Sequence, residues 1–365
     1  MLISPPGILR GEFLFPAQDA RRFSGTRSPT VRGASRVAPI SPTSLRVLDG
    51  STVTTLEDID GPVVIRGLQD EWRARELWTV DHFRHQYGGL RVPVREYPAG
   101  SEYEYTLSED GLADFLDYWE KSRADHSLAR DRRYLAEWNF VRDCPGLLDD
   151  FSIPAIFSDD WIERLPEQVR FGRMWIFFGE PGCSTGLHCD TFSTSAWLAV
   201  LAGSKELRLV TPEAGRALRA DDSLWSERTH DEVLRKSAGP LYEVTLRAGD
   251  TLYIPGDWYH EVRNPERNLM LTANFVEERK LLSFLAQFET RLTEPLSVLR
   301  QARNAQIRTW AGGDGRHDEL AREEFRARQL DWVRAMTSDL REYERALLEW
   351  DAPGAGATEA PNGAR

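Results

Sequence analysis

Between residues 171 and 279 the chain breaks into short apolar runs, each closed by glycine, proline or aspartate. This pattern constrains the fold more than any other feature. The runs RMWIFFG, SAWLAVLAG, KELRLVTP, LYEVTLRAG, DTLYIP and LMLTANFVE follow one another in that order. Many short strands with turn residues at the breaks predict a barrel or a sandwich. Upstream, PVVIRGL at 62–68 reads as another strand. GLADFLDYWEKS at 111–122 carries Leu112, Phe115, Leu116 and Trp119 at helical spacing and predicts an amphipathic helix. The expected class is therefore mainly β with flanking helices.

The flanks differ from this core. Residues 1–44 are rich in Arg, Ser, Pro and Gly and poor in acids, which predicts a disordered or loosely packed arm. Residues 45–279 form the expected globular domain. Residues 280–350 are rich in Leu, Arg, Glu and Ala with helical periodicity and predict a helical C-terminal extension, interrupted at Ala311-Gly312-Gly313. Residues 351–365 are Gly/Ala/Pro-rich and predict a disordered tail. The extension carries Leu281, Leu282, Phe284, Leu285 and Phe288, then Phe325, Leu330, Trp332, Val333 and Met336. A closed barrel has little need of so much further apolar surface, so these helices are expected to assemble a homodimer, the alternative being that they pack on their own barrel.

Composition narrows the function. Hydrophobic residues make up 41% of the 365, with 12 Trp and 16 Phe, enough for a β-rich core around a lined pocket. The net charge of −12 is spread along the chain, which argues against a nucleic-acid partner and suits a basic one. Cys144, Cys183 and Cys189 show no metal or redox spacing, so a reducing compartment is expected. No apolar run reaches transmembrane length and no signal-peptide core opens the sequence. The expectation is a cytoplasmic protein with no membrane partner.

Two motifs carry chemistry. In His188-Cys189-Asp190, residues i and i+2 of an extended chain project to one face. Downstream, Gly249 to Trp258 reads as a turn, a strand and a second turn, and His260 follows. Either motif alone is weak: an H-x-D tripeptide is often a surface His beside a turn Asp, and a lone His is more often packed than ligating. In this order they are more specific, because two His and one carboxylate on one side of a metal make the facial triad of non-haem Fe(II) oxygenases. Lys205 opens the strand KELRLVTP. A strand lysine is usually a solvated edge charge, but in a metal-bearing barrel it can anchor a dicarboxylate. In Asn268–Phe275, Leu269, Leu271, Ala273 and Phe275 form one face, and Met270, Thr272 and Asn274 the other. The polar face meets either solvent or a pocket.

The segment GEPGCSTGLHCDTFSTSAWLAVLAGSKELRLVTP at 179–212 and the block from Ala248 to Phe275 resemble the JmjC/cupin-like 2-oxoglutarate oxygenases. Within them the chain is most similar to the JmjC lysyl-hydroxylase subgroup, over residues 50–280. The resemblance implies a double-stranded β-helix (jelly-roll/cupin) barrel at 45–279. It implies that His188, Asp190 and His260 ligate Fe(II) and act catalytically. Lys205 matches the lysine that pairs with the 2-oxoglutarate C5 carboxylate. Thr185 and Thr272 match hydroxyls near that cosubstrate, Tyr134 a tyrosine reaching the same carboxylate, and Asn274 a pocket asparagine. The sequence departs from the subgroup at Leu198, where an asparagine contacts the cosubstrate.

The resemblance further implies a dioxygenase that consumes O₂ and 2-oxoglutarate, hydroxylates an amino-acid side chain in a protein or peptide, and releases succinate and CO₂. The charged segment 213–240 between two strands is expected to roof the barrel mouth. The competing readings are a hydroxylase of a free amino acid or small natural product, and a non-catalytic cupin-type binding module.

Overall fold

The computed structural model describes residues 42–124, 132–165, 172–218, 224 and 240–288, with six further helical residues between 326 and 345. Fourteen strands occur among them: β1 (Thr43–Ser44), β2 (Arg46–Asp49), β3 (Val63–Arg66), β4 (Arg91–Tyr97), β5 (Thr106–Gly111), β6 (Arg132–Trp138), β7 (Met174–Gly179), β8 (Ser184–Cys189), β9 (Ser195–Ala202), β10 (Ser204–Val210), β11 (Leu241–Arg247), β12 (Asp250–Ile254), β13 (Tyr259–Arg263) and β14 (Asn268–Phe275). They form a five-stranded sheet, β1-β11-β10-β13-β8, and a nine-stranded sheet, β2-β3-β12-β9-β14-β7-β6-β4-β5. This is the jelly-roll barrel that the resemblance implied, within the barrel or sandwich expected from the punctuated runs.

Alternation along the strands builds two cores. Leu198, Val200, Leu207, Leu209, Leu246, Leu252, Ile254, Val262 and Met270, drawn from both sheets, fill the space between them. The other face of the nine-stranded sheet presents Leu135, Trp138, Ile176, Phe178, Trp197, Leu269, Leu271, Ala273 and Phe275. That face is covered by the helices Val80–Tyr87 and Leu112–Ala124, whose Phe83, Leu112, Phe115 and Leu116 are fully buried. The helix expected over 111–122 thus forms, and it buries the predicted face. Thr79 caps the preceding helix by accepting from the His82 amide.

One glycine is required by the backbone. Gly203 turns β9 into β10 at φ +70°, and a Cβ there would lie 1.9 Å from the Arg267 carbonyl oxygen. The turn fixes the phase of β10, so Lys205 shares an inward face with Leu207 and Leu209.

The chain divides into two units, Met1–Thr290 and Arg291–Arg365. Thr43 and Ser44, the last residues of the expected N-terminal arm, are already a strand, pairing in parallel with β11. Residues 281–288 are helical. There Leu281, Phe284 and Phe288 pack with Phe192, Ile162 and Val276, so this part of the apolar surface assigned to a dimer is used within the chain, while Leu282 and Leu285 stay exposed. In the second unit Arg326, Ala327, Leu330, Arg334, Arg341 and Arg345 are helical and exposed. Residues 1–41, the C-terminal tail and most of 213–240 lie outside the described residues.

Candidate active site

The site begins with an irregularity. His188 on β8 opposes His260 on β13, and Thr185 opposes Val262, so Gly186 and Leu187 together face the single residue Glu261. This is a β-bulge, and the extra residue resets the alternation. In a regular strand Thr185 and His188 would point to opposite faces. Here both share the inward face of His260 and Val262.

The bulge also orients the first candidate ligand. His188 Nδ1 donates to the Gly186 carbonyl at 2.8 Å, since a carbonyl can only accept. Its Nε2 lone pair is therefore free to point into the site. Nε2 of His188 lies 3.8 Å and Nε2 of His260 3.9 Å from Asp190 Oδ1. The ligand atoms of all three residues fall within 4.8 Å of one another. Asp190 stands at the end of β8, just before a short turn in which Phe192 and Ser193 adopt left-handed backbone angles of +57° and +56°. Asn274 hydrogen-bonds the Asp190 carboxylate and donates Nδ2 to Thr194 Oγ1 at 2.8 Å.

Burial shapes the charges. It pushes the Asp190 carboxyl up, against the pull of His188. Burial, with His188 adding to it, holds His260 well below the ordinary histidine range, so its imidazole is neutral and ready to ligate. Two neutral-capable imidazoles and one carboxylate, converging on one point, are the donor set that a mononuclear non-haem iron takes. The residues present fit that metal.

A second cluster lies beside the triad. Lys205 is 1% exposed, and its Nζ donates to the Tyr134 hydroxyl at 3.2 Å. Burial, with Arg95 nearby, brings the Lys205 ammonium down to about 7. Desolvation raises Tyr134, so it stays a neutral hydroxyl. Thr185 Oγ1 accepts from Arg95 Nη1 at 3.0 Å. Thr272 is buried and donates to the Trp197 carbonyl at 2.8 Å. The polar face of β14 thus turns to the interior rather than to solvent. Leu198 opposes Thr272 across the β9–β14 ladder and packs in the interior core, so apolar contact stands where an amide would.

The structure therefore brings together His188, Asp190, His260, Lys205, Tyr134, Thr185 and Asn274, with Thr272 two residues before Asn274 on β14. Sequence reasoning missed Arg95. It is 4% exposed, lies 4.7 Å from the Tyr105 ring centre and 5.8 Å from that of Tyr134, and pairs with Glu137 at 2.6 Å. The only signal was an arginine placed between apolar positions in RVPVREY.

The profile of the cupin-like domain matches residues 56–280. Relatives include the lysine-specific demethylase JMJ21 of Arabidopsis thaliana, 28% identical over 60% of this chain and 24% of that protein. The 2-oxoglutarate and iron-dependent oxygenase JMJD4 of Homo sapiens is 28% identical over 63% of this chain and 60% of its own length. The bifunctional arginine demethylase and lysyl-hydroxylase psr-1 of Caenorhabditis elegans is 26% identical over 65% and 62%. The chain thus spans between about a quarter and three fifths of these relatives' lengths.

Proposed function

Because the chain belongs to the cupin-like domain family, we propose that it is an Fe(II)- and 2-oxoglutarate-dependent hydroxylase of an amino-acid side chain within a protein or peptide. The observation that carries this is the convergence of the His188, Asp190 and His260 ligand atoms within 4.8 Å on a barrel that also buries Lys205 against Tyr134. A binding module has no use for both.

His188, Asp190 and His260 would hold the metal, and Asn274 keeps the carboxylate turned toward it. Lys205 and Tyr134 offer an ammonium and a hydroxyl to the distal carboxylate of the cosubstrate, a charge-assisted contact that is strong in a water-poor interior. The interior leucines and Val262 keep bulk water from that end of the pocket. Iron held there would supply the oxidative chemistry in which 2-oxoglutarate and O₂ give succinate and CO₂, with the second oxygen atom passing into a substrate C–H bond.

The relatives named lysyl-hydroxylase and arginine demethylase support a basic residue as the target, and the net charge of −12 suits a basic partner. The test is mass spectrometry of candidate peptides incubated with the protein, iron, ascorbate and 2-oxoglutarate. A gain of one oxygen matched by succinate supports the reading. Oxygenation of a free amino acid or small metabolite alone removes the polypeptide. Failure of any iron-dependent 2-oxoglutarate turnover removes the enzyme.

A further inference from the structure

Glu137 occupies a strained place at another bulge, on β6. On β6, Leu135 opposes Phe178 of β7 and Trp138 opposes Ile176, so three steps along β6 match two along β7. Leu135 and Trp138 both point into the helix-covered core, whereas Tyr134 and Ala136 point the other way. Regular alternation would bury Glu137 with Leu135. Instead its backbone adopts φ +59°, a left-handed angle unfavourable for a long side chain. The carboxylate thereby reaches the side of Tyr134 and Arg95.

What it meets there is specific. Glu137 Oε1 accepts from Arg95 Nη2 at 2.6 Å, and the same guanidinium holds Thr185, three residues before His188. Arg95's side chain is 5% exposed, but that of Glu137 is 48% exposed. Among the described residues, Oε2 makes no hydrogen bond. Thr185 shares the inward face of His188 and His260, so the Arg95 bridge sets the carboxylate on the side of the triad. A fixed carboxylate, anchored on one oxygen and open on the other, thus stands beside the triad.

We propose that Glu137 is the specificity-determining residue of this site: its Oε2 receives the ammonium or guanidinium of a lysyl or arginyl side chain, and so lays the adjoining methylenes beside the triad. The assignment rests on the oxygenase reading above. Arg95 is a positioning residue, holding Glu137 directly while its other amino group is fixed on Thr185. A site built around such a contact rejects an analogue that lacks the charge, because the carboxylate is then left facing an apolar group.

The experiment uses the full-length iron-loaded protein and pools of blocked peptides with randomised flanks. The central residue is lysine, arginine, acetyl-lysine, norleucine or glutamate, and free lysine and arginine form a separate arm. Oxygen incorporation gives kcat/KM, and calorimetry under nitrogen gives affinity. We expect the wild type to favour a cationic centre over acetyl-lysine and norleucine by about 30-fold, the scale of one charge-assisted hydrogen bond. In Glu137→Gln that ratio should fall to near unity, carried by KM and affinity, and Glu137→Asp should restore part of it. A merely structural role would lower all pools alike and leave the ratio standing. Retention of the ratio in Glu137→Gln, or its absence in the wild type while iron-dependent succinate release continues, overturns the assignment and leaves the oxygenase reading intact. Absence of iron-dependent 2-oxoglutarate turnover in the wild type sinks both. Turnover confined to the free amino acids, with the same dependence on Glu137, supports the assignment and moves the substrate out of polypeptides.

Discussion

The two faces of the nine-stranded sheet follow different rules. Its outer face alternates along β14: Leu269, Leu271, Ala273 and Phe275 project every second residue into a core sealed by two helices, with Phe178 in ring contact with Phe83, Phe115 and Trp119. Its inner face meets the five-stranded sheet at a pocket where Arg95, Lys205, His260 and Thr272 are buried. The ladders beside this pocket slip by one residue at Gly186–Leu187 on β8 and between Leu135 and Trp138 on β6, and the β9–β14 ladder slips once more between Leu269 and Met270, at the sheet's end. Unbroken alternation gives packing, and the interruptions bring side chains of different phase onto one surface.

This contrast can be broken by substitution. In the packed face, Phe178→Ala should cost about 3–5 kcal/mol of folding free energy, because the ring is 1% exposed and its neighbours cannot collapse into the space. Denaturant unfolding checks this, and the KM for 2-oxoglutarate of the fraction still folded should be unchanged. In the pocket the effect should run the other way. Lys205→Met keeps the volume and removes a charge whose burial is costly, so stability should hold or rise while the KM for 2-oxoglutarate increases about 10- to 100-fold. An unchanged KM would place the carboxylate anchor elsewhere.

A smaller effect concerns protons. Burial, with Arg95 beside it, brings the free Lys205 down to about 7. Above that pH the amine is mostly neutral, and an arriving carboxylate favours its charged form. Binding 2-oxoglutarate at pH 8 should therefore take up close to one proton, and KM should rise as pH climbs through 7 to 9, by at most about tenfold per unit. Tyr134 stays neutral throughout and Arg95 stays charged, so neither contributes. Calorimetry in two buffers of different ionisation enthalpy reads the uptake directly. No uptake would mean that Lys205 is already charged in the empty site.

Much of this was legible in the sequence, for identifiable reasons. The strand runs, the amphipathic helix and the two faces of Asn268–Phe275 depend on periodicity, which a regular ladder preserves. His188, Asp190, His260 and Lys205 fall in short motifs whose order along the chain is informative. Other features were hidden. The bulge at Gly186 is what places Thr185 beside His188, and a one-residue slip leaves little trace in residue types. Glu137 would read as buried by parity and is rescued only by its left-handed backbone. Arg95 becomes significant only once Thr185, Tyr134 and Glu137 surround it. Whether Thr272 and Asn274 faced solvent or a pocket depended on the second sheet, which no pattern within their own strand reports.

The central claim is that His188, Asp190 and His260 act together as one iron site on which 2-oxoglutarate turnover depends. Metal analysis and succinate release, measured side by side on the wild type and on Asp190→Ala, test it most directly. The account expects one iron per wild-type chain with iron-dependent succinate, and loss of both in the variant while its circular dichroism stays native. Turnover and iron content at wild-type levels in Asp190→Ala would contradict it.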